Sequence, residues 1–566
     1  MQPYLLRLVG ILCAMASAAA FCLLPSAMPQ AAVARSTDNA PAVHFQQSAS
    51  KVDAYDYMEI LLTVESPTAK NPFTDTTISG RFQRAGDMPL TVRGFCDSSD
   101  GKSYRIRFMP QKPGSYSFTV QFQQGESVQS FAGTFEAVAG KRRGILRVDS
   151  AHPWHFIWEG TGEHYFFNGN TAFLLMGWQD ETVIRACIDR QHRLKVNRLR
   201  VLLGGGRSRS FWGEPIIPDA QFRTYLNPWV AQRPDDLNSP GFDYTRFNLP
   251  HWQKFERLLK YARDRDLIIS VVFDWNDSPV HPAPGSDDEQ RYFQNAAARL
   301  AAFSNVTWDL GDDISLFRTL DWSHKTGMLL YQADPYHHLG TDHPVDNRHQ
   351  DRTAEWFGFT SFQEWSRPQH GWMLQQREAQ KKTGRIIPQA NEEYGYEDHY
   401  PKWAQNYPDG ANADNMRRTA WEIYMAGCYQ TTGETARRGT GYWPDTGGGW
   451  VNGRGDPSMT MLDGYARVLD FMTSFDWWKA DPHDELVDHG AFCLAEPGKV
   501  YAVYLPRGGG VTIRVEAARY DAKWFDPRTG KWTPLPAAVA PTWTSPRAPD
   551  ENDWALLLMR ASETKR

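Results

Sequence analysis

Between residues 43 and 140, apolar and polar positions alternate in short runs that are separated by turn residues. Residues 104–108 and 116–120 carry aromatic side chains at every second position, which is the period of a strand with one buried face. A turn around residues 110–114 separates the two runs. Because no helical period appears in this stretch, the pattern predicts an N-terminal β-sandwich over residues 43–140.

From residue 145 to residue 480, strands alternate with helices. Residues 251–266 have their apolar positions on one helical stripe, and a continuous apolar strand at residues 267–273 follows at once. Further helices are expected at residues 288–303, 371–383 and 412–426, and a polar turn at residues 168–171. Eight strands are expected, at residues 165–167, 196–203, 267–273, 306–310, 336–339, 356–360, 385–388 and 428–431. This repeat predicts a (β/α)8 barrel over residues 145–480.

Residues 485–562 return to alternating strand patterns. Residues 499–505 and 511–515 flank three glycines and predict a hairpin, and the alternation places Trp524 and Trp532 on an inward face. The predicted fold class is therefore α/β, a TIM barrel flanked by an N-terminal and a C-terminal β-sandwich. We expect both sandwiches to pack against the barrel and to assist folding or substrate docking rather than chemistry.

The N-terminus has the features of a signal peptide over residues 1–34. Arg7 precedes an apolar run at residues 8–24, and the small residues at 32–34 offer a cleavage site. Pro25 and Pro29 end the run, which favours export over a membrane span. We expect an exported protein, periplasmic or extracellular, whose mature chain has no membrane span and carries four scattered cysteines as buried free thiols.

Composition excludes one class of partner and suggests another. The 566 residues carry a net charge of -5, which argues against nucleic acid as a partner. The chain contains 22 tryptophans. A large core accounts for this number, but so does a cleft in which sugar rings stack on aromatic faces.

Two acidic motifs stand where barrel strands are expected to end. Residues 305–313 run from an apolar strand into Asp312 and Asp313, and residues 388–397 contain Glu392 and Glu393. In a (β/α)8 barrel, catalytic groups lie at the C-terminal ends of the strands, so the two motifs should meet on one face. Two converging carboxyl groups are the minimal equipment for cleaving a glycosidic bond.

Four short sequences carry a resemblance to a known group. They are Asn-Gly-Asn-Thr-Ala at residues 168–172, Arg-Leu-Ala-Ala-Phe-Ser-Asn-Val-Thr-Trp at 299–308, Thr-Asp-His-Pro at 341–344 and Arg-Arg-Thr-Ala-Trp-Glu at 417–422. With the acids after strands four and seven, they resemble retaining glycoside hydrolases built on (β/α)8 barrels. The order sandwich, barrel, sandwich resembles the apiosidase-like branch, whose members often carry an N-terminal domain of unknown function and a C-terminal domain described as collagen-binding.

The resemblance implies a role for two residues, Asp313 as acid/base and Glu393 as nucleophile. At the preceding position this chain has Asp312 where relatives have Gly or Asn, which leaves open which of the two acids protonates the leaving group. The negative charge of Asp312 would raise the pKa of a neighbouring carboxyl group. The competing interpretation makes Asp312 and Asp313 an N-cap pair for a helix over residues 314–320. For Glu393, the competing interpretation is a solvated acidic loop.

Further side chains are expected to contact the substrate or to support the site. These candidates are Asn170, Arg200, Trp275, Asp312, His343, Gln363, Tyr396 and Trp443. Arg200 could instead cap its strand, and Trp275 could instead belong to the core. The segment that contains His337, His338, Asp342 and His343 is a possible metal site. Sugar hydroxyl groups need such donors too, however, and we expect no metal and no cofactor.

The sequence therefore predicts an exported glycosidase that cleaves a glycosidic bond in a poly- or oligosaccharide by a two-carboxylate retaining mechanism. The alternative is a non-catalytic carbohydrate- or matrix-binding protein that uses the barrel as a scaffold. Acids at both expected strand ends argue against that alternative.

Overall fold

The computed structural model describes residues 42–207, 217–398, 405–407, 410–435, 448–539 and 541–561, which all belong to one compact unit, Pro41–Arg566. The predicted signal peptide and Trp443 lie outside these residues. Among the described residues, no helix has the length and apolar character that crossing a membrane requires. The cysteines that they include, Cys96, Cys187, Cys428 and Cys493, are buried free thiols, as the sequence predicts.

The N-terminal region consists of nine strands in two sheets. The strands are β1 (Val43–Gln47), β2 (Lys51–Asp53), β3 (Met58–Val64), β4 (Thr76–Arg84), β5 (Leu90–Arg93), β6 (Phe95–Cys96), β7 (Ser103–Phe108), β8 (Gly114–Gln124) and β9 (Ser127–Val138). One sheet has the order β1-β3-β7-β6 and the other the order β2-β9-β8-β4-β5. Alternate side chains of both sheets, including Ile60, Ile106 and Phe118, form one buried core, which confirms the predicted sandwich.

The central region begins with a small antiparallel sheet and continues into parallel strands joined by helices. The small sheet is β10 (Leu146–Val148), β11 (Phe156–Trp158) and β12 (His164–Tyr165). The following strands are β13 (Asn168–Thr171), β14 (Arg198–Leu202), β15 (Gly205–Gly206), β16 (Tyr225–Leu226), β17 (Trp229–Ala231), β18 (Phe242–Phe247), β19 (Ile268–Trp275), β20 (Val306–Asp312), β21 (Gly340–His343), β22 (Thr360–Gln363), β23 (Gln389–Glu393), β24 (Tyr396–Glu397) and β25 (Tyr429–Glu434).

Eight of these strands form a nearly closed barrel, in the order β21-β20-β19-β14-β13-β25-β23-β22. A parallel bridge between Gly340 and Phe357 brings the two ends of this order, β21 and β22, together. The (β/α)8 prediction is therefore confirmed. Strands β15 to β18 pair with one another outside the barrel, and β24 pairs with the end of β25.

Helices surround the barrel. They are α1 (Glu181–Arg193), α2 (Leu249–Arg263), α3 (Asp287–Leu300), α4 (Leu320–Ala333), α5 (Gln369–Lys382), α6 (Ala413–Met425), α7 (Gly449–Asn452) and α8 (Met461–Met472). Several of them begin at a side chain that caps the helix. For example, Ser286 accepts a hydrogen bond from the backbone N–H of Glu289, and Asn412 accepts one from the backbone N–H of Asn415. Short 3-10 turns occur at Leu175–Gly177, Ile314–Leu316, Trp477–Lys479 and Asp484–Leu486.

Four barrel strands differ from their predicted positions. Of the apolar residues 165–167, only Tyr165 lies in a strand, which is β12 of the small sheet. The barrel's first strand is the polar segment Asn168–Thr171, which was expected to be a turn. Likewise, the fifth, sixth and seventh strands begin about four residues after their predicted starts, at Gly340, Thr360 and Gln389. The reason is that these strands carry polar side chains that find partners across the barrel, whereas the prediction followed apolar runs.

The C-terminal region forms a second all-β unit. Its strands are β26 (Asp481–Pro482), β27 (Phe492–Glu496), β28 (Val500–Leu505), β29 (Thr512–Arg514), β30 (Tyr520–Phe525), β31 (Trp532–Ala538), β32 (Thr542–Thr544) and β33 (Trp554–Arg560). The larger sheet has the order β26-β27-β28-β33-β30-β31, and β29 pairs with β32. The predicted hairpin of residues 499–505 with 511–515 is therefore wrong, because both strands have other partners. Trp524 is buried in the core between the two sheets, as predicted.

The two end regions both pack against barrel helices through ion pairs. At the N-terminal sandwich, Arg107 lies 2.8 Å from Glu256 of α2, and Arg299 of α3 lies 2.8 Å from Asp97. At the C-terminal unit, Arg417 of α6 lies 2.7 Å from the buried Asp553. The ring of Tyr504 also stacks on Trp421 of α6, with a centroid distance of 4.8 Å.

Candidate active site

The two acidic motifs meet at a pocket of about 490 Å3 at the C-terminal ends of the barrel strands. Asp312 is the last residue of β20, Asp313 follows it, and Glu393 is the last residue of β23. Among the described residues, twelve line the pocket: Phe173, Arg207, Trp275, Asp312, Asp313, Gln363, Trp365, Glu393, Tyr396, Gln405, Asn406 and Trp450.

Irregular strand register brings the acids to this pocket. Between β20 and β21, Asp309 pairs with Thr341 but Asp312 pairs with His343, so β20 carries one extra residue. Between β23 and β22, the register also shifts by one residue just before Glu393. An extra residue in a strand changes the face to which the following side chains point, and such bulges are common beside active sites.

Asp313 is held in an unusual backbone conformation with its carboxyl group buried. Its φ of 53° lies in the left-handed region, which Asp adopts more readily than most residues. It precedes the 3-10 turn Ile314–Leu316, but its side chain makes no capping hydrogen bond there, so the N-cap interpretation does not hold. Burial raises the pKa of Asp313 to about 8, and the charges of Asp312 and Glu393 add to the effect.

Asp312 also lines the pocket, but it is fixed by a strong ionic contact. The Nη2 of Arg200 donates to Asp312 Oδ1 at 2.8 Å and to Asp309 Oδ2 at 3.2 Å. Arg200 is fully buried beneath the pocket and is not among the residues that line it. Arg200 was predicted to contact the substrate or to support the site. In the structure it supports Asp312.

Glu393 lines the same pocket and receives hydrogen bonds from two side chains, those of Tyr396 and Gln363. Burial raises the pKa of Glu393, while the charge of Arg200 and these two hydrogen bonds oppose the rise. Tyr396 and Gln363 were predicted as substrate contacts. Their position allows a second role, because they hold the Glu393 carboxylate in place.

Glu392, the neighbour of Glu393, has a different environment. Its carboxylate contacts the guanidinium group of Arg198 and accepts a hydrogen bond from Thr431 Oγ1 at 2.9 Å. Burial would raise the pKa of Glu392, but Arg198 and Arg200 more than offset it, so the pKa lies below its ordinary value. Glu392 does not line the pocket and is a structural ion-pair partner.

His343 joins the acids beneath the pocket. Its Nε2 lies 3.4 Å from Glu393 Oε2 and 3.6 Å from Asp312 Oδ1, and its Nδ1 lies 2.8 Å from Ser361 Oγ. Burial lowers the pKa of His343 to about 3, so the ring is neutral. One nitrogen of His343 and one oxygen from each acid lie within 4.8 Å of one another, a set that could hold a metal ion.

The other residues of the suspected metal segment do not join His343. The Nδ1 of His338 bonds to Asp334 at 2.8 Å, and that of His337 bonds to the backbone oxygen of Tyr331. The sequence grouped these histidines because they are close along the chain. His337 and His338 precede β21, however, whereas His343 is its last residue, so the strand separates them.

Aromatic rings form the walls of the pocket. Phe173 and Trp275 stack with a centroid distance of 5.5 Å, and Tyr396 and Trp450 stack at 4.9 Å. The guanidinium group of Arg207 lies 5.3 Å above the Trp275 ring and contacts Asp277. Trp275 was predicted to contact substrate, and it lines the pocket.

Sequence reasoning did not select several lining residues, namely Phe173, Arg207, Trp365, Gln405 and Asn406. Phe173 directly follows the Asn-Gly-Asn-Thr-Ala motif, and Trp365 lies two residues after Gln363. Their closeness in the sequence to predicted site residues is the signal that could have identified them.

Asn170 is the clearest difference between the expected and the observed site. Its side chain donates to Gln191 of α1 at 3.0 Å, and the residue is fully buried. It therefore faces the helix layer rather than the pocket. The expectation was wrong because residues 168–171, which form strand β13, were predicted to be a turn. Trp443 lies outside the described residues.

Three sequence families match this chain. Residues 51–123 match a domain of unknown function (DUF5060), residues 216–434 match the apiosidase-like catalytic domain, and residues 484–559 match the "putative collagen-binding domain of a collagenase". The apiosidase-like match includes both acidic motifs and barrel strands β19 to β25. A search of the curated proteins finds no match.

Solved structures share this fold at low sequence identity. A "putative glycoside hydrolase" from Bacteroides vulgatus ATCC 8482 is 20% identical, with a TM-score of 0.75 over 91% of this chain and 100% of the other. A glycoside hydrolase family 5 structure from the same organism is 16% identical, with a TM-score of 0.58 over 75% of this chain and 94% of the other. The family matches place an apiosidase-like, glycosidase-type catalytic domain between a DUF5060 domain and a domain of the collagen-binding type, and the solved structures show that other proteins share this fold.

Proposed function

We propose that this protein is an exported retaining glycosidase that acts on a poly- or oligosaccharide, with Asp313 as acid/base and Glu393 as nucleophile. The observation that carries the proposal is that both residues, which are eighty positions apart in the sequence, line one aromatic-walled pocket. Pockets that hold small ligands combine apolar walls with a few converging polar groups, and this one has that composition.

Asp313 fits the role of the acid better than Asp312. A general acid must hold its proton near neutral pH, and burial raises the pKa of Asp313 to about 8. Burial raises the pKa of Asp312 as well, but the guanidinium group of Arg200 at 2.8 Å opposes this rise by favouring the ionised form. The negative charge of Asp312 then helps Asp313 to keep its proton.

Glu393 fits the role of the nucleophile better than Glu392. A nucleophilic carboxylate must be held in place and exposed to the substrate, and hydrogen bonds from Tyr396 and Gln363 hold Glu393 at the pocket surface. Glu392 is closed off by Arg198 and Thr431.

The reaction has two steps. A carboxylate oxygen of Glu393 attacks the anomeric carbon while Asp313 gives its proton to the departing glycosidic oxygen, which forms a glycosyl-enzyme ester. Asp313, now ionised, takes a proton from water as the water attacks the same carbon. This step releases Glu393, restores the proton on Asp313 and yields a sugar with retained configuration.

The substrate class follows from the walls of the pocket. Phe173, Trp275, Trp365, Tyr396 and Trp450 offer faces against which the C–H groups of sugar rings can pack. Gln405, Asn406 and Arg207 place polar side chains on the same surface, where they would meet the hydroxyl groups of a bound sugar. Export is supported by the signal-peptide pattern of residues 1–34.

The decisive test is the configuration of the first product. The purified protein is screened on plant and bacterial polysaccharide fragments, and the fresh product of a cleaved substrate is observed by NMR before mutarotation. We expect retention in the wild type and no turnover in Glu393→Gln. Inversion would contradict the nucleophile assignment, and binding without turnover in the wild type would favour the non-catalytic alternative.

A further inference from the structure

The ring of His343 is anchored on one side, where its Nδ1 lies 2.8 Å from Ser361 Oγ. A serine hydroxyl oxygen can accept the proton of Nδ1–H. In that tautomer the other ring nitrogen, Nε2, carries the lone pair that a metal ion needs.

With its proton on Nδ1, His343 presents a lone pair from Nε2 towards the pocket floor. This nitrogen is fully buried and has no hydrogen-bond partner among the described residues. It faces oxygens of Glu393 at 3.4 Å and Asp312 at 3.6 Å. A lone pair that faces two carboxyl oxygens is unfavourable unless a proton or a cation lies between them.

The distances from His343 Nε2 to the two acids fit a metal ion. Zinc binds imidazole nitrogen and carboxylate oxygen at about 2.0–2.2 Å, so two ligands at a tetrahedral angle lie about 3.4 Å apart. The contacts of 3.4 and 3.6 Å from His343 Nε2 are close to this value. Metal-bound histidines also donate their other ring N–H to a fixed acceptor, which Ser361 provides here.

The proposed ligand Asp312 also contacts Arg200, whose Nη2 lies 2.8 Å from Asp312 Oδ1. A carboxylate group accepts at several positions, so this contact leaves room for a metal ion on the same group.

We propose that Asp312, His343 and Glu393 form a binding site for a zinc-like divalent ion, and that the bound ion inhibits the enzyme. Two of the ligands line the pocket, so the ion would be reached from solvent through it. Inhibition rests on the proposed role of Glu393, because a carboxylate that coordinates a metal cannot attack the anomeric carbon. The binding itself does not depend on that role.

Binding is tested on the full-length protein, first treated with a chelator. Titration with zinc chloride in a calorimeter should show one site, and cobalt(II) should give the visible absorption of tetrahedral coordination. His343→Gln should abolish both signals, and Ser361→Ala should weaken binding by about 10–100-fold. The control is His337→Gln, since His337 is an exposed histidine bonded to the backbone of Tyr331.

If His343→Gln does not fold, Glu393→Gln replaces it as the ligand variant. Absence of zinc binding at millimolar concentration, or binding that persists in both ligand variants, would overturn the site. Zinc should also lower turnover of the wild type, and a chelator should restore it. Binding without inhibition would reject only the inhibitory role, whereas a protein without any turnover but with intact zinc binding would reject the proposed function instead.

Discussion

Glu392 and Glu393 are neighbours in the sequence, yet they lie in two different layers of the barrel interior. The lower layer consists of Arg198, Ser270, Glu392 and Thr431, and each charge in it has an opposite charge and a hydrogen-bond partner. The upper layer consists of Asp312, Asp313, His343 and Glu393, where the acids outnumber their cationic partners.

The pKa values express this difference. In the lower layer, the ion pair with Arg198 keeps the pKa of Glu392 below its ordinary value despite complete burial. In the upper layer, burial raises the pKa of Asp312, Asp313 and Glu393 together. Paired buried charges are tolerated because they satisfy each other, whereas like charges gathered in a cleft are typical of sites that perform chemistry. Of two adjacent residues in one strand, Glu392 thus contributes to stability and Glu393 to reactivity.

The largest effect is expected when the upper layer loses its nucleophile. Glu393→Gln should reduce turnover by a factor on the order of 10^5 or more, because no other group on the pocket surface replaces the attacking oxygen. The Tm should stay the same or rise, since a buried acid among like charges is removed. Steady-state kinetics and a thermal melt on the same sample measure both. A large fall in Tm would show that Glu393 is structural as well.

The effect of losing the acid on the rate should depend on the substrate. Asp313→Ala should slow hydrolysis of natural glycosides by about 10^2–10^4, since their leaving groups need a proton. Aryl glycosides with acidic leaving groups should be much less affected in the bond-breaking step. Comparison of kcat/KM for the two substrate types checks whether Asp313 is the acid. If Asp312→Ala showed the same selective loss, the role of the acid would belong to Asp312 instead.

The same kind of substitution in the lower layer should act on stability. Glu392→Gln leaves the charge of Arg198 buried without its partner, and breaking such a pair costs about 3–5 kcal/mol. A marked drop in Tm is therefore expected, in contrast to Glu393→Gln. Equal Tm values for the two variants would mean that the two layers do not differ in the way described.

The pH dependence of activity should report on the upper layer alone. Asp313 must be protonated for the first step, so kcat/KM should fall tenfold per pH unit as the pH rises through about 8. Glu393 must be ionised, so activity should also fall on acidification, at a pH above the ordinary value of 4.5. For activated aryl glycosides, Asp313→Ala should remove the alkaline fall. A profile that stays flat to pH 10 would contradict the acid assignment.

Local sequence determined much of this protein. Period-two and helical patterns gave the two all-β regions and the barrel between them, because each element must bury one apolar face. The acids at the ends of the fourth and seventh strands were recognisable from an apolar run followed by carboxylates. Local patterns failed for Asn168–Thr171, because a polar strand inside a barrel has no apolar signature.

Only the tertiary structure decided which charged side chains pair with each other. Arg198 meets Glu392 across 194 positions of the chain and Arg200 meets Asp312 across 112, and nothing local in the sequence specifies these pairs. The extra residues in β20 and β23 likewise appear only when neighbouring strands are paired. Since one added residue reverses the face to which a side chain points, the choice between an ion-pair partner and a pocket acid at Glu392 and Glu393 depends on contacts between strands.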